Sequence, residues 1–141
     1  MPAAIRSAND NPQTNFFLFA QYRNFIHQSH EMDEMNFQFE QQIPWKLADV
    51  KIERQVFGYS DEVMMVKVRF EKGGVGVLHQ HPHTQVTYVE SGEFEMTIGE
   101  KTEVIRKGDG YFVPPNVIHG CVCLEAGMLI DCFAPMRSDF V

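Results

Sequence analysis

Hydrophobic and polar residues alternate in short runs from residue 37 to the C-terminus. In residues 63–70 every second position is apolar, and these positions are Met64, Val66, Val68 and Phe70. Residues 93–98 repeat the pattern with Phe94, Met96 and Ile98. Successive side chains of a β-strand point to opposite faces, so a period of two predicts strands with one buried face.

Glycine and proline turns divide this part of the chain into short predicted strands. They span residues 51–57, 63–70, 85–90, 93–98, 102–106, 111–113, 117–124 and 128–133, and a further strand carries His79 and His81. No segment of residues 37–141 has a convincing helical period. Short alternating strands at regular spacing are typical of antiparallel sandwiches and barrels. We therefore predict an all-β fold, a small single-domain jelly-roll barrel.

Residues 1–36 differ in composition and are predicted to be a non-β extension, either an arm or a disordered segment, ahead of a barrel at residues 37–141. Either Met32 or Met35 could be the natural start. Residues 16–25 are interpreted as an arm that covers the body or a neighbouring subunit. His27 and His30 are one helical turn apart, but no further ligand lies near them, so no metal site is expected there.

The composition is that of one ordinary soluble domain. The chain has 141 residues, of which 44% are hydrophobic and 22% are charged. The formal net charge is -7 and lysine and arginine are not clustered, which argues against nucleic acid and anionic membrane as partners. Local cations in a pocket could still bind a small anionic substrate.

No apolar run approaches the ~20 residues of a membrane-spanning helix. The apolar cluster at residues 16–20 is shorter than the core of a signal peptide and lacks a basic start. A cytoplasmic location is therefore the default expectation. Cys121, Cys123 and Cys132 are odd in number and lack zinc-ribbon spacing, which predicts reduced thiols. Cys121 shares the strand parity of His119, so a bound role for this thiol stays open.

The stretch around residue 80 carries the candidate chemistry, because three of the 6 histidines lie there within five residues. On a regular strand His79 and His81 would project from one face, and Gln85 has the same parity. His119, which follows the Pro-Pro bend at residues 114–115, could supply a fourth ligand. Neutral imidazoles and an amide oxygen suit a divalent first-row metal with open positions for substrate. The alternative is that these are surface or core histidines of a binding barrel.

The proposed ligand set contains no carboxylate, so a bound cation would keep its full positive charge. That charge favours binding an anion and polarising a carbonyl or hydroxyl group over oxidative chemistry. His83 is expected at the rim of the site and not among the ligands, because Pro82 breaks the strand locally.

The last predicted strand places Leu129, Asp131 and Phe133 on one face. A buried carboxylate is costly without partners, so an inward Asp131 would need the metal, an arginine or a catalytic role. Arg137 could hold a carboxylate through its planar fork, and Phe133 offers a flat surface for a sugar ring. The alternative has Asp131 and Arg137 as a structural ion pair and Phe133 as core filler.

Two segments resemble the paired motifs of the cupin superfamily. The first segment contains, at the spacing of the motif, Gly73, His79, His81, Gln85 and Gly92. The second contains Gly108, Pro114 and His119. Three positions depart from the common pattern, because Gln85 replaces the usual glutamate, Asn116 a glycine and Cys123 an asparagine. The resemblance implies the cupin barrel, although cupins host many functions.

A narrower resemblance is to the KdgF-type cupins of pectin and alginate degradation, and it rests on residues 79–85, 108–120 and 131–140. It implies the linearisation of 4,5-unsaturated monouronates to 4-deoxy-5-keto acids. In that family an aspartate, a phenylalanine and an arginine near the C-terminus act beside the metal. The matching positions here are Asp131, Phe133 and Arg137. The resemblance also implies a homodimer.

The resulting hypothesis is a metal-assisted, non-redox enzyme whose substrate is a small anionic sugar acid. Nickel, zinc, iron, manganese or cobalt would be held by His79, His81, Gln85 and His119. Asp131 would move protons, Arg137 would hold the carboxylate and Phe133 would pack on the ring. One rival is a non-catalytic cupin that binds or senses a sugar acid. The other is a cupin dioxygenase or isomerase with another small substrate.

Overall fold

The computed structural model describes residues 36–141. The predicted arm at residues 16–25 and the pair His27 and His30 lie outside the described residues. The described residues form eight β-strands and two short 3₁₀ turns. The strands are β1 (Lys46–Asp49), β2 (Ile52–Ser60), β3 (Val63–Phe70), β4 (Val75–His79), β5 (Thr84–Ile98), β6 (Lys101–Arg106), β7 (Gly110–Val113) and β8 (His119–Ala134). The all-β prediction is confirmed, and no helix among these residues is long and apolar enough to cross a membrane.

The strands form two antiparallel layers that share the long strands β5 and β8. One layer has the order β1-β2-β3-β8-β5-β7 and uses the C-terminal half of β8 and the N-terminal half of β5. The other has the order β4-β8-β5-β6 and uses the remaining halves of the two shared strands. This arrangement agrees with the predicted jelly-roll barrel, because two strands that pass from one layer to the other connect both layers.

The bend in β5 occurs where the sequence predicts a turn between two strands. Gly92 has a φ of 83°, and the pairing of β5 with β8 is irregular from Val89 to Phe94. The chain nevertheless continues as one strand, because the backbone pairs with β8 on both sides of the bend. The segments predicted as 117–124 and 128–133 are likewise joined, as β8.

The hydrophobic core lies between the layers and uses the faces that the period of two predicts. Met64 and Val66 of β3 are fully buried, and Phe70 packs edge-to-face against Phe94 of β5 with ring centroids 5.3 Å apart. Leu129, Asp131 and Phe133 are all buried on one face of β8, as predicted. The inner surface thus mixes an apolar core with buried polar groups.

The prediction that one regular strand carries the histidines is wrong. Strand β4 ends at His79, residues 80–83 form a loop, and β5 begins at Thr84. His81 therefore reaches the site from a loop, where strand parity does not apply. The physical reason is Pro82, which lacks a backbone N–H and cannot continue the ladder of hydrogen bonds.

Candidate metal centre

Three histidines from separate parts of the fold converge at one end of the barrel. The nitrogen atoms that His79, His81 and His119 offer all lie within 4.8 Å of one another. His79 ends β4 and His119 begins β8, and the two residues are direct partners in the ladder between these strands. Their ring centroids are 4.3 Å apart. The barrel topology thus joins two histidines that are 40 positions apart in the sequence.

Backbone carbonyls fix the tautomers of two of these rings. Nδ1 of His79 lies 2.8 Å from the carbonyl oxygen of Val77, and Nδ1 of His119 lies 2.9 Å from that of Val117. Each Nδ1 must carry the proton that it donates, so each Nε2 presents a lone pair. Nε2 of His119 is buried and has no hydrogen-bond partner in the described structure. A buried lone pair without a partner is costly, and a metal ion would satisfy it.

The contact between His81 and Gln85 also favours a cation. Nδ1 of His81 lies 3.1 Å from the carbonyl oxygen of His83, and its Nε2 lies 3.1 Å from Oε1 of Gln85. Only a doubly protonated, positively charged ring could donate to both oxygens. Burial lowers the pKa of His81 and therefore disfavours this charged form. A neutral ring that donates from Nδ1 to the carbonyl oxygen of His83 has its lone pair on Nε2, which points toward Oε1 of Gln85. A cation between Nε2 and Oε1 would bind both atoms.

The orientation of the Gln85 amide follows from its other contacts. Its Nε2 donates to Oγ1 of Thr87 at 3.0 Å and to Oδ1 of Asp131 at 3.3 Å. Its oxygen must therefore face the histidines. Burial lowers the pKa of His119 to about 4, which keeps that imidazole in the neutral form that binds metals. Three imidazole nitrogens and one amide oxygen thus fit a divalent first-row cation.

Asp131 lies behind this cluster as a fully enclosed carboxyl group. Thr87 donates to its Oδ1 at 2.6 Å, in addition to the bond from Gln85. Burial raises the pKa of Asp131 to about 6, although these hydrogen bonds and the charge of Arg137 act in the opposite direction. A carboxyl group in this state can both donate and accept a proton near neutral pH.

Sequence reasoning missed two residues of this network, Thr87 and Tyr111. Burial raises the pKa of the Tyr111 hydroxyl well above its ordinary value, and the nearby Asp131 adds to the effect. The sequence did contain a signal for Thr87, because it lies at an alternate position of β5 between Gln85 and Val89, whose side chains point inward. A polar residue between two inward positions predicts a buried hydrogen bond.

Arg137 lies in the same region, but its carboxylate partner is Asp139. Nε of Arg137 donates to Oδ1 of Asp139 at 2.9 Å, and Nη2 donates to Oδ2 at 2.8 Å. Arg137 holds the pKa of Asp139 down at about 2. The alternative that paired Arg137 with Asp131 is therefore wrong, because Nε and Nη2 of Arg137 bind a nearer carboxylate in the C-terminal 3₁₀ turn Ser138–Phe140.

Phe133 lies between the histidine cluster and this turn. Its ring centroid is 5.7 Å from that of His81 and 5.8 Å from that of Phe140. The guanidinium carbon of Arg137 lies 5.5 Å from the Phe133 ring centroid. Only 3% of Phe133 is exposed, so this ring packs within the barrel while bordering the site.

Several of these residues line one cavity of about 310 Å³. Its lining includes His79, Gln85, His119, Asp131, Arg137 and Arg54. Sequence reasoning missed Arg54, although a cationic residue that shares strand parity with the buried Ile52 is a recognisable signal. The cavity has a volume at the lower end of those that bind small molecules.

Two residues left open by the sequence lie outside the ligand group. His83 is half-buried, with its ring 5.3 Å from that of His81. Cys121 is buried, and burial raises the pKa of its thiol to about 12, which keeps it neutral near pH 7. Cys121, Cys123 and Cys132, all within the part of the chain that the structure describes, are free thiols.

Comparisons with known proteins agree with this architecture. The cupin domain family matches residues 66–130. The pectin degradation protein KdgF of Dickeya dadantii (strain 3937) is 42% identical over 100 residues, which cover 70% of this chain and 91% of that protein. A solved RmlC-like cupin from Shewanella frigidimarina NCIMB 400 superimposes with a TM-score of 0.73 at 44% identity, covering 74% of this chain and 95% of that one.

A second solved structure, KdgF from Halomonas sp., has a TM-score of 0.72 and 33% identity, and it covers 74% of this chain and 97% of that chain. Oxalate decarboxylase of B. subtilis shares only the fold, with 19% identity, a TM-score of 0.66 and coverage of 74% of this chain and 30% of its own. The extent of the match to Dickeya KdgF, together with the cupin barrel, establishes the family. The chain is a cupin, and it belongs to the same family as KdgF.

Proposed function

We propose that this protein is a metal-dependent enzyme that linearises 4,5-unsaturated monouronates, the breakdown products of pectin and alginate, to 4-deoxy-5-keto acids. The observation that carries the proposal is the bridge that Gln85 makes between the histidine cluster and Asp131. Through it, a metal-binding group and a buried proton-transfer group border one cavity. The names of the relatives from Dickeya and Halomonas support the same substrate class.

Nickel, zinc, iron, manganese or cobalt would be held by the three histidines and by Oε1 of Gln85. When bound, such a cation supplies a Lewis acid that binds and polarises substrate oxygens. His79 is the exposed member of the group, so the cluster is accessible from the cavity. The ligands carry no negative charge, which suits an anionic substrate.

The reaction is an isomerisation and needs no co-reactant. The anomeric hydroxyl loses a proton as its oxygen becomes the aldehyde oxygen at C1, the bond between C1 and the ring oxygen breaks, and the ring oxygen becomes the oxygen of an enolate at C5. The enolate then becomes a ketone as C4 gains a proton. Asp131 would accept the first proton and return one to C4, so that it regains its starting state.

The other cavity residues would hold the sugar acid. Phe133 presents an aromatic ring near the histidines, and Arg137 keeps three of its five N–H donors outside its bond pair with Asp139. These donors can bind a carboxylate. A cavity of about 310 Å³ suits one sugar ring better than a chain of several.

The experiment is an absorbance assay with an unsaturated monouronate prepared by exhaustive lyase digestion of polygalacturonate. We expect the absorbance of the conjugated C4–C5 double bond to decay faster with the protein than without it, and NMR to identify the 4-deoxy-5-keto acid. Decay at the spontaneous rate would reject the proposal. In that case tight binding without turnover would favour the binding or sensing rival, and oxygen consumption by iron-loaded protein would favour the dioxygenase.

The homodimer is also carried forward as a proposal. Val86 and Phe112 are cross-strand partners on the outer face of β5 and β7, and they are 52% and 55% exposed, with Tyr88 beside them at 49%. A second copy of the chain could cover this apolar face. Light scattering coupled to size-exclusion chromatography measures the mass, and Phe112→Glu should shift a dimer to the monomer.

A further inference from the structure

Arg54 is a second cationic residue of the cavity, and the reaction scheme above gives it no role. It lies on β2 with the same strand parity as Ile52, whose side chain is buried in the core. Both Arg54 and Arg137 line the cavity that also includes His79, His119 and Asp131. The cavity therefore receives one guanidinium group from each of two distant parts of the chain.

The two arginines differ in how their donors are used. Arg137 gives two N–H groups to Asp139 as a bidentate pair. The side chain of Arg54 donates no hydrogen bond to any residue within 36–141. Its guanidinium group stacks on Phe140, with the guanidinium carbon 3.8 Å from the ring centroid. Stacking uses the face of the guanidinium plane and leaves its edge, where the N–H groups lie, available to a ligand.

The surroundings of Arg54 do not fully stabilise its charge. Burial is the largest influence on its pKa and lowers it, and the positive charge of Arg137 acts in the same direction against the attraction of Asp139. A guanidinium group that is partly removed from water without a hydrogen-bonded anion loses hydration that nothing in the described chain replaces. A carboxylate ligand would supply that missing partner.

Arg54, Arg137 and Asp139 leave a net positive charge around Phe140, and the carboxyl groups of Asp49 and Asp131 line other parts of the cavity. Arg54 and Arg137 carry two positive charges and Asp139 carries one negative charge, since its pKa of about 2 keeps it ionised at neutral pH. One positive charge remains uncompensated among these three groups. The guanidinium carbon of Arg137 lies 4.3 Å from the same Phe140 ring, so both cations flank one aromatic side chain.

We propose that Arg54 binds the carboxylate of the sugar acid and distinguishes sugar acids from neutral sugars. Its free edge beside Phe140 supplies one bidentate contact, and the N–H donors of Arg137 that do not bind Asp139 supply a further contact. The identity of the ligand as a sugar acid rests on the proposed function. Since a carboxylate keeps its charge throughout the ring opening, Arg54 strengthens binding and leaves the chemical step nearly unchanged.

The test compares Arg54→Gln with wild type and with Arg69→Gln. Arg69 on the neighbouring strand also stacks on an aromatic ring, Trp45 at 4.2 Å, but it pairs with Glu53 and does not line the cavity. Calorimetry with galacturonate, a saturated uronate without the reacting double bond, measures binding independently of turnover. We expect Arg54→Gln to weaken galacturonate binding by about tenfold or more, and Arg69→Gln to leave it within twofold.

Kinetics and a second variant separate binding from a structural role. With the unsaturated monouronate, Arg54→Gln should raise KM by about tenfold and change kcat less than threefold. Phe140→Leu removes the stacking surface but leaves the guanidinium group, so binding should fall less than in Arg54→Gln. Melting temperatures of both variants check that the barrel is folded. Equal losses in the two variants would assign Arg54 to packing and overturn the inference.

The two proposals can fail separately. A wild-type protein that binds galacturonate in an Arg54-dependent way but does not accelerate the ring opening would contradict the proposed function alone. Unchanged KM and unchanged galacturonate affinity in a folded Arg54→Gln variant, with turnover intact, would contradict the inference alone.

Discussion

Nε2 of Gln85 lies 3.3 Å from Oδ1 of Asp131, and this contact joins the candidate metal ligand to the candidate proton-transfer group. The amide serves both neighbours because it has a donor for the carboxyl group and an acceptor oxygen for the cation. A glutamate at this position would place a second carboxylate beside Asp131, and like charges at this distance repel. The glutamine that replaces the usual cupin glutamate thus has a physical reason in Asp131.

Gln85→Glu should destabilise the metal-free protein by about 1–3 kcal/mol, because the donor to Asp131 is lost and a second acidic group is buried. Urea unfolding after treatment with a chelator measures the change. Gln80→Glu is the control, since it adds the same charge at an exposed loop position and should change stability by less than about 0.5 kcal/mol. Equal stability of the two variants would contradict the role assigned to the amide.

Asp131→Asn should lower the rate of monouronate conversion by about 100-fold or more, because the amide cannot accept and return the proton. The fold should be retained, since the asparagine oxygen can still accept the bonds from Thr87 and Gln85. Asp49→Asn changes an exposed carboxylate that lines the same cavity, and its rate should stay within twofold. An Asp131→Asn enzyme with the wild-type rate would remove Asp131 from the mechanism.

Metal binding should raise the melting temperature of the chelator-treated protein by several degrees, because a ligand at 100 times its Kd stabilises a fold by about 2.7 kcal/mol. Nickel, zinc, iron, manganese and cobalt can be compared in turn, with metal analysis of the dialysed protein. His119→Ala should abolish the shift, since it removes a buried Nε2 that has no hydrogen-bond partner and lies within reach of His79 and His81.

His83→Ala is the matched control for the metal measurement, because this ring lies beside His81 but outside the ligand group. It should keep the shift seen in the wild type. The absence of a shift with all five metals, or an equal loss in the two variants, would contradict the ligand assignment.

Gly92→Ala should destabilise the protein by about 2–3 kcal/mol or more, because it combines a left-handed backbone with a steric clash. The φ of Gly92 is 83°, and an added Cβ would lie 2.6 Å from the carbonyl oxygen of Glu125. Gly108 has a φ of 96° with nothing within 4 Å, so Gly108→Ala should cost about 1 kcal/mol through the backbone alone. Urea unfolding measures the stability lost in each of the two variants. Equal losses would show that the close packing around Gly92 at the β5 bend adds nothing to the cost of the substitution.

Much of the barrel could be predicted because the signals are local. The alternation in residues 63–70 places Met64 and Val66 inside, and β3 has the predicted bounds. The inward position of Asp131 followed from its apolar neighbours on the same strand in the same way. A single strand face repeats every two residues whatever the remainder of the chain does.

Other features depend on which strands become neighbours. The sequence does not contain the pairing of His79 with His119 across β4 and β8, and the loop that carries His81 replaces the regular strand that was expected. The ion pair of Arg137 with Asp139, which was not predicted from the sequence, forms because the chain turns after β8 and brings this carboxylate to the guanidinium group. Arg54 lines the cavity because the fold places this part of β2 beside it.

The sequence by itself determined the all-β class, the inward faces of the strands, the histidines and glutamine of the candidate metal site and the resemblance to KdgF. Only the tertiary structure decided how these residues meet: the direction of the Gln85 amide, the pairing of Arg137 and the cavity position of Arg54. Strand periodicity is a property of neighbouring residues, whereas charge pairing and hydrogen bonding depend on distances of a few ångströms between residues far apart in the chain.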